Sequence, residues 1–153
     1  MARDLVYWDS VAFLGMLNGE ADKIQICDDV WDAGRNGKLL IVTSTLSSAE
    51  VIYVKGAKKL DPAKRSMVSN FFKAYHLSQR PLTRSIAELA RDVVWDCNIQ
   101  PKDAIHIATA AFYKVRDFHT FDGGLLGKKS VDVNGFTVDI RKPYAPGQEE
   151  MEV

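Results

Sequence analysis

Four acidic residues stand where this chain changes from extended to helical patterning: Asp9, Glu50, Asp103 and Asp122. Asp9 follows the apolar run Leu5-Val6-Tyr7-Trp8, and Asp122 follows Phe118-His119-Thr120-Phe121 and precedes Gly123-Gly124. Glu50 opens the helix after a second apolar strand, and Asp103 sits in the first turn of an alanine-rich helix. Carboxylates packed together cannot all ionise without compensation, so such a cluster takes protons or binds a cation. Oxygen ligands with no cysteine or paired histidine nearby favour a hard ion, Mg²⁺ or Mn²⁺. An ion of this kind keeps several waters, activates one as a nucleophile and neutralises charge developing on a phosphodiester. Metal-dependent phosphodiester hydrolysis is the chemistry this residue set suits best.

Each acid also has a plainer role. Asp9 can cap a helix, Ser47 and Glu50 fit a capping box, Asp103 is a favourable charge at a helix N-terminus, and Asp122 suits a turn. The two glycines after Asp122 predict a mobile loop, so Asp122 is the acid expected to stand back from a metal-free site. What the four share is location. In a parallel sheet the strand-to-helix junctions lie on one edge, and open α/β proteins place their ligands there. A phosphatase with an aspartate nucleophile, resembling the haloacid-dehalogenase family, would also put an acid after the first strand. Such an enzyme needs a second aspartate two positions later, where this chain has Val11.

The elements that must position these acids are legible in part. Leu5 to Trp8 reads as a strand, followed by helices from about Val11 to Leu17 and from about Ala21 to Gly34. Lys38 to Thr43 reads as a buried parallel strand, because its middle is apolar without alternation. Asp61-Pro62 is a helix start, after which Met67, Val68, Phe71, Phe72 and Tyr75 mark one core-facing side. An extended segment is expected between His76 and Leu82. Thr83 caps an amphipathic helix carrying Ile86, Leu89, Ala90, Val93 and Val94, and the Asp103 helix follows to about Val115. Phe118–Phe121 and Thr137–Ile140 read as the last strands. Strands alternating with helices predict a three-layer α/β/α fold with a mostly parallel central sheet of four to five strands.

A chain of 153 residues, 46% apolar and 26% charged, is ordinary for one domain, expected over residues 1–140. Residues 141–153, with two prolines and three glutamates, read as an acidic flexible tail. The N-terminal segment contains neither a signal peptide nor a membrane span, so the cytoplasm is the expected compartment. Cys27 and Cys97 are isolated and read as free thiols. Twenty basic residues balance twenty acidic ones, so total charge points to no nucleic-acid partner. Locally, Lys55, Lys58, Lys59, Lys64 and Arg65 face only Asp61 over eleven residues, a basic stretch that a solvated surface would also explain.

The order of motifs resembles the PIN-domain family of metal-dependent ribonucleases, and within it the VapC-type toxins, from about Leu5 to Ile140. Val6-Tyr7-Trp8-Asp9-Ser10 is similar to the family's opening strand, and Ser47-Ser48-Ala49-Glu50-Val51 to its glutamate-bearing helix start. Asp103-Ala104-Ile105-His106-Ile107-Ala108-Thr109-Ala110 resembles its Asp-Ala helix, Thr120-Phe121-Asp122 its last acid, and Pro81-Leu82-Thr83 with the following helix the segment before the Asp-Ala helix. The resemblance implies an endoribonuclease whose metal site is Asp9, Glu50, Asp103 and Asp122, with Ser10 and Thr120 as supporting polar neighbours. Lys55, Lys58, Lys59, Lys64, Arg65, Arg84 and Arg91 are the expected RNA contacts. It also implies a homodimer and a small antitoxin partner, with Phe13, Trp31 and Tyr53 as apolar contact candidates that would equally suit a core. Two departures stand out. His106 occupies a position often small or aliphatic and is expected in the core, and Tyr7-Trp8 is bulkier than the usual strand end. The alternative reading is a catalytically silent PIN-like module that binds RNA or protein.

Overall fold

The computed structural model describes residues 3–19, 21–52 and 59–147. Strand β1 (Asp4–Trp8) leads into helices α1 (Ser10–Asn18) and α2 (Ala21–Arg35), strand β2 (Leu39–Ser44) and the short helix α3 (Leu46–Glu50). A single 3₁₀ turn (Pro62–Lys64) precedes α4 (Arg65–Phe72), β3 (Leu77–Arg80), α5 (Arg84–Cys97) and α6 (Pro101–Phe112). The chain closes with β4 (Asp117–His119), α7 (Gly123–Lys128), β5 (Ser130–Val133) and β6 (Phe136–Arg141). Helix boundaries follow local chemistry. Thr83 accepts a hydrogen bond from the Ile86 amide to start α5, Asn98 ends it in the left-handed conformation, and Pro101 opens α6 where its missing N–H costs nothing.

All six strands form one sheet in the order β3-β2-β1-β4-β6-β5, parallel except for the β5–β6 hairpin. The chain builds outward from β1 to β3, then crosses back to lay β4 on the other side of β1. The strand order therefore reverses between β1 and β4, and open α/β sheets bind ligands in the crevice at such a point. Side chains of β1 alternate between the two layers. Val6 and Trp8 pack with α1, α2 and α4, whereas Tyr7 packs with α5 and α6. A strand apolar on both faces is what a central parallel position requires.

The three-layer, mostly parallel architecture is as the sequence predicts, with one strand more than expected. The additional strand, β5, alternates Ser130-Val131-Asp132-Val133 before Asn134-Gly135, whose φ values of 50° and 85° suit a two-residue hairpin turn. Gly123-Gly124 is not an open loop, because both residues lie in α7 with Asp122 as its cap. Val68, Phe71 and Phe72 pack against the core, but Met67 and Tyr75 are exposed. Phe13 and Trp31 are core residues as well, while Tyr53 lies outside the described residues. Ala145 is buried and the Tyr144 ring lies 5.3 Å from that of His119, so packing continues past Arg141. The glutamates of the tail lie outside the described residues. Cys27 and Cys97 are free thiols, and among the described residues no helix is long and apolar enough to cross a membrane.

His119 is buried in the sheet, where its Nδ1 accepts a 3.3 Å hydrogen bond from the Trp8 indole and its Nε2 has no partner. Burial, aided by the positive charge of Arg141, pushes its pKa down from 6.5 to about 3. A histidine depressed in this way stays neutral in the folded chain while the unfolded chain takes a proton. Its contribution to stability is complete above 6.5 and is lost as the pH falls toward 3. Between pH 7 and pH 5 this one group is expected to remove about 2 kcal/mol of unfolding free energy. Urea unfolding at the two pH values checks this: His119→Gln should lose less stability on acidification than the parent chain.

Candidate active site

Asp9 ends β1 and caps α1, its Oδ1 accepting from the Ala12 amide at 3.0 Å. Its Oδ2 is buried without a hydrogen-bond partner, and the residue is only 1% exposed. Burial pushes the carboxyl up from 3.8 to about 6 against the lowering effects of His106, the Thr120 hydroxyl and the Ala12 amide, and the negative charge of Asp103 adds to the rise. A fully buried carboxylate whose donors are only the Ala12 amide and the nearby Thr120 hydroxyl is a costly arrangement that a bound cation would relieve.

Glu50 is the last residue of α3. The expected capping box does not form, because the Ser47 hydroxyl pairs with that of Thr43 at 2.7 Å and the hydroxyl of the α3 cap, Thr45, accepts from the Leu82 amide at 3.1 Å instead of capping the helix. Glu50 instead reaches across to α6, where its Oε1 lies 2.7 Å from Nε2 of His106. Although burial pushes its pKa up, the hydrogen bond with His106, the Ser10 hydroxyl and Lys102 hold it below the usual glutamate value. Nδ1 of His106 lies 2.7 Å from the Tyr7 hydroxyl, so both ring nitrogens of this buried histidine are engaged. Burial raises the Tyr7 pKa well above its ordinary value, and its ring stacks 5.1 Å from that of Phe118, its register partner on β4.

Asp122 caps α7 through a 2.9 Å bond from the Leu125 amide to its Oδ2, and its own amide donates to the Thr120 hydroxyl. Ser10, Glu50, Lys102 and Asp122 line a single cleft of about 720 Å³, together with Lys23, Phe121 and Gly15. Asp9 and Asp103 stand next in sequence to two of the lining residues. A Cβ on Gly15 would meet the Phe121 ring at 2.6 Å, so a side chain at this point of α1 would require the ring before Asp122 to shift. The acids surround the cleft without closing on one another. Among the described residues, no three histidine, cysteine, aspartate or glutamate side chains are close enough to hold one ion.

The expected RNA contacts are placed elsewhere. Lys59, Lys64 and Arg65 line a separate groove of about 610 Å³ with Val51, Leu60 and Val68, and Lys64 donates to the Leu17 carbonyl oxygen. Arg84 pairs with Glu88, and Arg91 lies over the Trp95 ring. Lys55 and Lys58 lie outside the described residues. The cations at the acidic cleft are Lys23 and Lys102, which the sequence reading missed. Lys102 carries a signal in retrospect, since it precedes Asp103 in a helix's first turn, where side chains gather at the mouth. Lys23 carries none. Its ammonium sits 5.2 Å from the centre of the Phe121 ring, a contact made only by tertiary packing.

Comparison with solved structures gives the same architecture. VapC20 of Mycobacterium tuberculosis, a toxin that cleaves the sarcin-ricin loop, superposes with a TM-score of 0.60 at 11% identity, covering 80% of this chain and 94% of that one. A toxin-antitoxin complex from Klebsiella pneumoniae gives 0.58 at 16% identity over 92% and 98% of the two chains. VapBC2 of Rickettsia felis, bound to a DNA fragment from its promoter, gives 0.59 at 10% identity over 90% and 98%. No curated protein matches the chain. At such identities the superpositions speak for the fold, but the sequence model of the PIN domain matches residues 6–128, which take in all four acids. The chain belongs to the PIN domain family.

Proposed function

We propose that this protein is a Mg²⁺- or Mn²⁺-dependent endoribonuclease that hydrolyses RNA phosphodiester bonds at the cleft bounded by Asp9, Glu50, Asp103 and Asp122. The observation that carries this reading is the fully buried, underpaired carboxylate of Asp9 at the reversal point of the sheet, near three further carboxylates. An all-oxygen donor set of this charge fits a hard divalent cation. Once bound, such an ion would polarise a water and neutralise charge on the phosphodiester. The chain's own residues supply the rest. Asp9, Asp103, Asp122 and Glu50 hold negative charge at one mouth, and Ser10 and Thr120 orient their oxygens.

Lys23 and Lys102 are the groups we assign to the RNA backbone at the cut, since point charges at the cleft wall suit phosphate. Lys59, Lys64, Arg65, Arg84 and Arg91 would act, if at all, on more distant nucleotides. Partners follow from the company the fold keeps: the similar structures include toxin-antitoxin complexes, which supports a small antitoxin protein as inhibitor, and a homodimer is what the family resemblance implies for the assembled toxin. The cytoplasm is the compartment where that substrate and partner would be met.

Replacing Asp9 or Asp103 by asparagine is expected to lower Mn²⁺-dependent cleavage of mixed RNA by about 100-fold or more, since either change removes a charged oxygen ligand. Gel mapping of cut ends, with chelator as control, reads the result, and cleavage that survives both changes overturns the assignment. Asp9→Asn carries a second expectation of opposite sense. Because the folded carboxyl titrates near 6 and the unfolded one at 3.8, ionised Asp9 costs stability that grows as pH rises through this interval. In chelator at pH 8 the variant should therefore unfold at higher urea, by about 1–3 kcal/mol. Adding Mn²⁺ should raise the melting temperature of the parent chain more than that of Asp9→Asn.

A further inference from the structure

We propose that His106, fixed by Tyr7, is the positioning residue that holds Glu50 in its cation-binding orientation, an inference that rests on the metal-site reading above. Glu50 has little hold of its own. It ends a five-residue helix, the hydroxyl of its cap residue Thr45 is turned to the Leu82 amide instead of the helix, and the serine that would have formed a capping box is engaged by Thr43. The contact that fixes its side chain comes from another layer of the fold, 56 residues away in sequence.

The direction of each hydrogen bond follows from ordinary ionisation. A glutamate at neutral pH only accepts, so the proton between it and His106 belongs to Nε2. A tyrosine at that pH is a phenol, so its hydroxyl donates to Nδ1 and settles the histidine tautomer. Thr109 and Thr43, the other hydroxyls close to Tyr7, use their protons on the carbonyl oxygens of Ile105 at 2.6 Å and of Trp8 at 2.7 Å. The chain of donors thus runs one way, from Tyr7 through His106 to one oxygen of Glu50. The second oxygen is left to the cleft that Glu50 lines with Ser10 and Lys102. Tyr7 and His106 are both buried, out of reach of a substrate, so their effect passes through the acids beside them, and Glu50 is the one they bond.

Hydrogen-bond partners of this kind behind a ligand are worth about 10- to 100-fold in metal affinity. The test uses the full chain and titrates Mn²⁺ calorimetrically without RNA, then measures cleavage. His106→Leu is expected to weaken Mn²⁺ binding by about 10-fold or more and to lower kcat while leaving KM for RNA near the parent value. His106→Gln, which keeps an N–H donor for Glu50, should recover most of the loss, and Tyr7→Phe should fall between the two. A His106→Leu variant that binds Mn²⁺ like the parent overturns this inference and leaves the nuclease reading standing. Absence of Mn²⁺ binding by the parent chain overturns both. If His106→Leu does not fold, Tyr7→Phe decides, because parent-like affinity in that variant is incompatible with the positioning role.

Discussion

One buried carboxylate governs the site. Asp9 ends a strand that is enclosed on both faces, so the fold places an ionisable group where water cannot solvate it. One of its oxygens is used in architecture, as the cap of α1, and the Thr120 hydroxyl is the one further donor near the carboxylate. Around it the chain arranges the Thr120 hydroxyl and the Ala12 amide, which favour its ionised form, and Asp103 as a repelling charge. A site acid of this kind is a local conflict between folding and chemistry, and such conflicts concentrate where proteins act. Glu50 and Asp122 follow the same pattern, each with one oxygen committed to a neighbouring element. The cleft is thereby stiff on the scaffold side, with its charge directed at the mouth.

The residue types and their order carried much of this in the sequence. Asp9, Asp103 and Asp122 could be found because each abuts a recognisable strand or helix start, and a parallel α/β fold sends those junctions to a shared edge. What a linear pattern could not contain was strand order. That β4 lies beside β1, and that the reversal point falls at Asp9 and Asp122, depends on a crossover whose landing place leaves no mark in local periodicity. The strand missed, β5, did have its alternation and its Asn-Gly turn, but at four residues it is short enough to pass for loop.

Two misreadings share a cause. Ser47 and Glu50 have the spacing of a capping box, and Gly123-Gly124 has the composition of a loop, yet both were decided by partners far away or by a cap one residue earlier. Thr43 and His106 draw Ser47 and Glu50 apart, and Asp122 supplies enough capping for a six-residue helix to begin on two glycines. The basic residues illustrate the same limit. A run such as Lys55 to Arg65 is conspicuous in a line of letters, while Lys23 and Lys102, 79 positions apart, become a pair only when α2 and α6 meet the same cleft.

The contact between Gly15 and Phe121 extends this dependence to residues that take no part in the chemistry. Because the ring fills the space a methyl group would need, a side chain at 15 would have to push the Phe121 ring aside, next to Asp122. A bulkier residue in a helix that carries no site acid would thus be felt at the mouth of the cleft, as a changed ring position and not as a lost ligand.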